Sequence, residues 1–93
     1  MMNLADYRQK IDDIDQQLLQ LLNERAQLAV KIGQQKFESR VSVKSPEREN
    51  RVIEHLLEEN SGPLQEQHIR LIFSAIMTAS KNLQHLYQSF EDV

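Results

Sequence analysis

Residues Leu4 to Lys36 read LADYRQKIDDIDQQLLQLLNERAQLAVKIGQQK, and this stretch decides the fold. It contains no proline and one glycine, Gly33. Its apolar residues recur mainly at alternating intervals of three and four, which is typical of one long helix with a single buried seam. The seam residues are Leu4, Tyr7, Ile11, Ile14, Leu18, Leu21, Leu28 and Ile32. The pattern therefore predicts a single helix through the whole stretch.

This helix is longer than its own chain can cover. Over Leu4 to Lys36, a rise of about 1.5 Å per residue gives a length of roughly 50 Å. A compact domain of 93 residues has a radius of gyration of about 12–13 Å and is only about 30–35 Å across. We therefore expect a homodimer, in which a second copy of the chain covers the rest of the seam.

One position of the seam is unsuited to a core. Arg25 lies between Leu21 and Leu28, where an aliphatic residue is expected, and a charge there is costly unless a partner compensates it. Lys36 follows eleven residues later. Because successive helical residues are about 100° apart, Arg25 and Lys36 leave the same face, with Cα atoms about 16 Å apart. The pair predicts a site for a small anion.

Composition favours one all-helical domain over residues 1–93. A hydrophobic content of 40% is enough for a small core, and the two glycines and two prolines supply few turns. The net charge of −3 argues against a general nucleic-acid surface. The sequence has no cysteine, no apolar run of membrane-spanning length and no signal-peptide core, so we expect a cytoplasmic protein.

Two further helices are predicted. The second runs from Pro46 to about Glu59, because Ser45 is a good N-cap, proline fits the first helical position, and Asn60-Ser61-Gly62-Pro63 ends a helix. The third runs from about Leu64 to Phe90, and residues 38–45 form a linker. The residues expected to face inward are Val52, Ile53, Leu56 and Leu57 in the second helix, and Ile69, Phe73, Ile76, Met77, Leu83, Leu86, Tyr87 and Phe90 in the third. Asn3 is a candidate cap for the first helix, although its neighbours do not predict a strong capping box.

Four further polar residues stand out. Ser80 and Gln84 are one turn apart, on or beside the apolar stripe of the third helix, where polar groups need partners. Bonds to the backbone or to each other would also satisfy them. Arg48 and Glu49 start the second helix and could equally form an ordinary surface pair. Together with the two cations of the first helix, these residues indicate a cationic pocket with one carboxylate, which suits a small dianion.

Arg8 does not fit that pocket within one chain. It lies seventeen residues before Arg25, which is about 25 Å along a helix and roughly 100° around it. As a single residue it is also consistent with an exposed surface arginine. In a dimer with antiparallel long helices, it could reach the pocket of the partner chain.

Other chemistry has little support in the sequence. The three histidines, His55, His68 and His85, lack metal-ligand spacing. There is no glycine-rich phosphate loop and no clear pairing of a serine with a histidine. We expect no bound metal.

The ordered motifs resemble those of the all-helical, type II chorismate mutases over essentially the whole chain. The first motif is R-x-x-I-D-x-I-D-x-x-L-L-x-L-L-x-x-R, from Arg8 to Arg25. It is followed by G-x-x-K ending at Lys36, by P-E-R-E at positions 46–49, and by IMTASKNLQ ending at Gln84. The resemblance implies a three-helix chain in an intertwined homodimer with two active sites. Such a chain occurs as a free-standing enzyme or as the mutase domain of a bifunctional chorismate mutase–prephenate dehydratase or dehydrogenase.

By this resemblance, the reaction is the Claisen [3,3] rearrangement of chorismate to prephenate in phenylalanine and tyrosine biosynthesis. The step is unimolecular and needs no cofactor. Catalysis then depends on holding the compact conformer and stabilising charge on the stretched ether bond. The resemblance implies that Arg25, Arg48 and the partner's Arg8 surround the two substrate carboxylates, and that Ser80 also bonds a carboxylate. Which arginine meets which carboxylate stays open.

The resemblance also implies roles at the ether oxygen and the ring hydroxyl. Lys36 and Gln84 would donate to the ether oxygen, and Glu49 would accept from the hydroxyl. One position departs from some family members, because the family often has an acidic residue about three before the second-helix arginine. Here Ser45 stands at that position. If only a backbone N–H is used there, the change is harmless, whereas a required side chain would put hydroxyl recognition in doubt.

Two other functions compete with this interpretation. An isochorismate-pyruvate lyase shares the fold and much of the cationic pocket, but Glu49 argues against it because the lyase-like pattern has an apolar residue there. A non-catalytic helical dimerisation module would carry its charges on a solvated face. Arg25 on the seam, with Lys36 on the same face, argues against that module.

Overall fold

The computed structural model describes the backbone of residues 1–40, 42 and 44–91, and the side chains of these residues as far as position 87. Its elements are α1 (Leu4–Glu38), α2 (Pro46–Glu59) and α3 (Glu66–Glu91). The prediction of a three-helix, all-α chain is confirmed. Val41 and Val43 of the expected linker, and the expected contact of Phe90, lie outside the described residues and side chains.

The predicted N-cap residues of the first two helices, Asn3 and Ser45, are confirmed, but their hydrogen bonds differ from those expected. Asn3 Oδ1 accepts the Asp6 N–H at 3.0 Å, and Asp6 Oδ2 accepts the Asn3 N–H at 3.0 Å, so α1 begins with a capping box. The sequence-based prediction of no strong box was wrong, because the short carboxylate of Asp6 takes the part usually played by Glu or Gln. At α2 the side chain of Ser45 makes no capping hydrogen bond. Instead its carbonyl accepts the Glu49 N–H at 3.0 Å.

The third helix begins two residues later than predicted, at Glu66. The N–H of Gln65 donates to His68 Nδ1 at 3.0 Å, which closes the first turn from outside the helix. Before it, Gly62 has a φ of 84°, a left-handed conformation that glycine adopts without a steric penalty. The predicted break between the second and third helices is therefore confirmed.

α3 packs against both other helices. The apolar core is small and contains Ala29, Ile53, Ile69 and Met77. Several predicted inward-facing residues are half-buried, namely Val52, Leu56, Leu57, Phe73, Ile76 and Leu83. Leu86 and Tyr87, by contrast, are 50% and 44% exposed, so the predicted stripe of α3 does not stay covered towards its C-terminal end.

The large apolar seam of α1 is exposed within the single chain, as expected if the chain is too short to cover its own first helix. Its eight residues are between 49% and 62% exposed. The residues that α1 buries are instead Ala29 and Gly33, whose small size lets another helix approach closely. From Asn3 to Glu24, every residue is exposed.

The chain is elongated for its size. Its extents are 57 × 29 × 15 Å and its radius of gyration is 16.7 Å, compared with about 12–13 Å for a compact domain of this length. The prediction that α1 is longer than a compact domain of this size is therefore confirmed. Within the residues that the structure describes, no helix combines the length and hydrophobicity of a membrane span.

Candidate active site

A cavity of about 310 Å³ lies between the C-terminal half of α1, the first turn of α2 and the middle of α3. Its polar lining consists of four cationic, one acidic and three neutral side chains. They are Arg25, Lys36, Arg48 and Lys81, then Glu49, and then Ser45, Ser80 and Gln84. The apolar lining consists of Leu28, Ala29, Ile32, Val52 and Met77. The cavity is thus an apolar cleft with convergent polar groups, as is usual for small-molecule sites.

The structure brings together every residue that the sequence assigned to the pocket except one. Arg25 and Lys36 lie eleven residues apart on α1 and line the same cavity, as their spacing predicts. Arg8 is exposed and does not line it. Its distance from Arg25 along α1, about 25 Å, accounts for this separation.

Ser80 is the partner of the arginine that interrupts the α1 seam. Arg25 Nη1 donates to Ser80 Oγ at 2.6 Å, and Ser80 Oγ in turn donates to the Ile76 carbonyl at 3.0 Å. The bond to Arg25 spans α1 and α3 and is partly buried. Among the described ion pairs, none joins Arg25 to a carboxylate. The hydroxyl therefore orients the guanidinium without neutralising its charge.

Gln84 lines the cavity and packs against Gly33, where α1 and α3 approach closely. An added Cβ on Gly33 would lie 2.8 Å from both Cβ and Cγ of Gln84 and 3.1 Å from its Cα. Only glycine allows this contact without a shift of the helices. Gln84 is 8% exposed, and its Oε1 has no hydrogen-bond partner in the described part of the chain. A buried acceptor left unpaired is costly, so the amide is prepared to bond to a ligand.

The first turn of α2 supplies the remaining predicted residues. Arg48 is exposed, while Ser45 and Glu49 are half-buried. Glu49 Oε1 lies 2.9 Å from Lys81 Nζ on α3, so the simple alternative of an Arg48–Glu49 surface pair is not what forms. Ser45, whose side chain makes no capping hydrogen bond, also lines the cavity.

Lys81 is the cavity residue that the sequence interpretation missed. It follows Ser80 directly and lies three residues before Gln84, so it is about 60° from Gln84 around the helix. Its closeness to Gln84 on the helix was the sequence signal that could have identified Lys81 as a cavity residue. Its acidic partner lies on another helix, thirty-two residues away in sequence, and no local pattern connects the two.

The charge of the cavity is opposite to that of the whole chain. Four cationic side chains against one carboxylate leave a formal surplus of three positive charges, whereas the chain carries a net charge of −3. Low-polarity walls between these groups strengthen their field on a bound anion. The fold and the site together define an all-helical protein with a cationic cavity between its three helices.

Comparison with known proteins identifies the family. The family model described as chorismate mutase type II matches residues 7–85, and the chain belongs to this family. A chorismate mutase from Methanocaldococcus jannaschii is 34% identical over 92 residues, which cover 90% of this chain and 86% of that protein. A solved chorismate mutase structure (Form II) from Thermus thermophilus superposes with a TM-score of 0.86 at 32% identity. That alignment covers 88% of this chain and 93% of the other.

Other relatives are much longer proteins. The bifunctional chorismate mutase/prephenate dehydratase of Aquifex aeolicus is 35% identical over 88 residues, which cover 90% of this chain but 24% of that protein. The protein of the same name from Neisseria gonorrhoeae is 40% identical over 75 residues, or 81% of this chain and 20% of that protein. The chain thus spans about a quarter or less of these bifunctional relatives. The family predicted from the ordered motifs is confirmed.

Proposed function

We propose that residues 1–93 form a single chorismate mutase domain that converts chorismate to prephenate. In this [3,3] rearrangement the ether C–O bond breaks while a C–C bond forms, and no atom is gained or lost. The observation that carries the proposal is the convergence of the motif residues from three helices on one cationic cavity. The relatives from M. jannaschii and A. aeolicus both carry this activity in their names.

The two carboxylates of the substrate bind to the arginines of the cavity. Arginine suits this task because its planar fork bonds a carboxylate through two parallel hydrogen bonds. Arg25 is already oriented by Ser80, so part of its ordering cost is met before the substrate arrives. Ser80 Oγ has a single proton, which it gives to the Ile76 carbonyl. To bond a carboxylate it must turn that proton away from the carbonyl.

Lys36 and Gln84 donate to the ether oxygen of the substrate. Negative charge grows on this oxygen as the C–O bond stretches, so donors placed there stabilise the transition state more than the ground state. Both residues line the cavity. Since the Gln84 Oε1 has no partner within the described residues, the amide can turn to present Nε2 without breaking a hydrogen bond at that oxygen.

Glu49 accepts a hydrogen bond from the ring hydroxyl. It is the only carboxylate among the described residues that line the cavity. Ser45 lies beside it at the start of α2, and its backbone or hydroxyl supports recognition of the same end of the substrate.

The active unit is an intertwined homodimer in which the partner's Arg8 completes each site. The support is the exposed apolar seam of α1, whose large side chains are about half exposed or more in the single chain. Antiparallel packing of two such helices would cover both seams and would carry each N-terminal half towards the other cavity. We further propose that the domain acts in the cytoplasm without a cofactor; the absence of cysteine is compatible with a reducing compartment.

The proposal is tested by mixing the purified protein with chorismate and following both its ultraviolet absorbance and the appearance of prephenate. Isochorismate serves as the matched substrate, with pyruvate release as its readout. We expect turnover of chorismate and none of isochorismate. Pyruvate release from isochorismate alone would identify a lyase. A stable dimer that turns over neither substrate would leave a non-catalytic module.

A further inference from the structure

The ion pair between Glu49 and Lys81 separates two cavities. Its atoms, Glu49 Oε1 and Lys81 Nζ, are 2.9 Å apart, and the side chains are 30% and 32% exposed respectively. Both residues line the cationic cavity, and both also line a second cavity of about 280 Å³ between α2 and α3. The pair therefore stands in the common wall, with one member on each helix.

Without Lys81, the carboxylate of Glu49 would have other cations to bind. Arg25 and Arg48 line the same cavity, and a guanidinium can form charge-assisted hydrogen bonds with a carboxylate. A glutamate side chain has three rotatable bonds, so it can turn towards them. A carboxylate that did so would occupy the donors that a dianionic substrate needs.

The pairing with Lys81 prevents this competition while leaving Glu49 usable. A carboxylate has two oxygens and about four acceptor positions. The ion pair with Lys81 involves Oε1, so acceptor capacity remains for a substrate hydroxyl. Lys81 reaches Glu49 from α3, the helix that also supplies Ser80 and Gln84 to the cavity.

We propose that Lys81 is a positioning residue for substrate binding, which holds the Glu49 carboxylate at the cavity wall and keeps the arginines of the cavity available for the substrate dianion. This inference rests on the proposed chorismate mutase function. It predicts that Lys81 acts through Glu49 and not by direct attraction of the substrate.

The test is a kinetic double-mutant cycle built from Lys81→Met and Glu49→Gln, with chorismate as substrate. Lys81→Met keeps most of the length of the side chain and removes the ammonium group with its charge. We expect KM to rise roughly tenfold, which is the low end for loss of a hydrogen bond to a charged group, while kcat changes by less than about threefold. Lys81→Arg should restore most of the loss. Lys31→Met, at an exposed lysine of α1 outside both cavities, is the matched control and should leave both constants unchanged.

The decisive comparison is made in the Glu49→Gln background. If Lys81 acts through Glu49, adding Lys81→Met there should change KM by less than about twofold, because the groups no longer interact as an ion pair. A loss that persists in full would mean that Lys81 attracts the substrate directly, which overturns the inference. An active wild type with an unaffected Lys81→Met variant also overturns it and leaves the mutase proposal intact. An inactive wild type overturns both.

Discussion

Gly33→Ala is expected to inactivate the protein without unfolding it. The new methyl carbon would lie 2.8 Å from Cβ and Cγ of Gln84 and 3.1 Å from its Cα. Carbon atoms pack best at about 3.5–4.0 Å, so α3 must move away from α1 by roughly 1 Å at this point. The contact includes the backbone and the first side-chain carbon of Gln84, which cannot swing aside as the end of a flexible chain can.

The stability change is expected to be small because two terms oppose each other. Overpacking of this kind costs about 1–3 kcal/mol, while replacing a helical glycine by alanine contributes about 1 kcal/mol in favour of the helix. The net loss should be about 0–2 kcal/mol in the free energy of unfolding. Activity should respond far more, because a displacement of about 1 Å at a catalytic group can cost about 10²-fold in rate.

The assay measures kcat/KM for chorismate together with urea unfolding at one fixed protein concentration, since the stability of a dimer depends on concentration. Gln35→Ala is the matched control, because this residue is exposed on the same turn of α1. It should leave kcat/KM unchanged. If Gly33→Ala kept kcat/KM within about twofold of the wild-type value, either the close approach of the helices or the need for Gln84 would be refuted.

Three further outcomes are expected. Arg25→Ala should lose about 10²-fold or more of the activity yet stay folded, because Ser80 keeps its bond to the Ile76 carbonyl. The control is Arg51→Ala, at an exposed arginine of α2 outside the cavity. Near-wild-type turnover by Arg25→Ala would contradict the anion site. Light scattering at micromolar concentration should report a dimer, and a well-folded monomer would leave the seam unexplained. The variants Arg8→Ala and Lys36→Ala should each be inactive, and a mixture that has exchanged subunits should recover about one quarter of wild-type activity. This value assumes independent sites and single losses of about 10²-fold or more. A mixture that stays inactive after verified exchange would place Arg8 in its own chain's site or in none.

Much of the site could be predicted because it depends on helical periodicity. Arg25 and Lys36 are on one helix, and a period of about 3.6 residues decides that they share a face. The same rule places Ser80 and Gln84 together on α3. Helical periodicity describes each helix separately. It therefore predicted which residues line the cavity better than it predicted the hydrogen bonds and ion pairs between them.

The contacts between helices were less accessible to sequence reasoning. The bond from Arg25 to Ser80 joins residues fifty-five positions apart, and the Glu49–Lys81 pair also joins different helices. Such pairs depend on the rotation of each helix about its axis, which the single-helix pattern leaves undetermined. The missed capping box at Asp6 has a different cause, because a short carboxylate there was not recognised as an acceptor for the Asn3 N–H.

The exposed seam and the separation of Arg8 from the cavity have one geometric origin. α1 is about 52 Å long at 1.5 Å per residue, whereas the cavity occupies only its C-terminal half. The N-terminal half carries most of the exposed seam residues and also Arg8, so a surface that covers these apolar residues also determines the environment of Arg8. A second copy packed antiparallel along α1 would bury the seam and place an arginine near each cavity. In a monomer, the exposed seam and the distance of Arg8 from the cavity would need separate explanations. Bending α1 back towards the cavity would break helical hydrogen bonds in a stretch that has no proline.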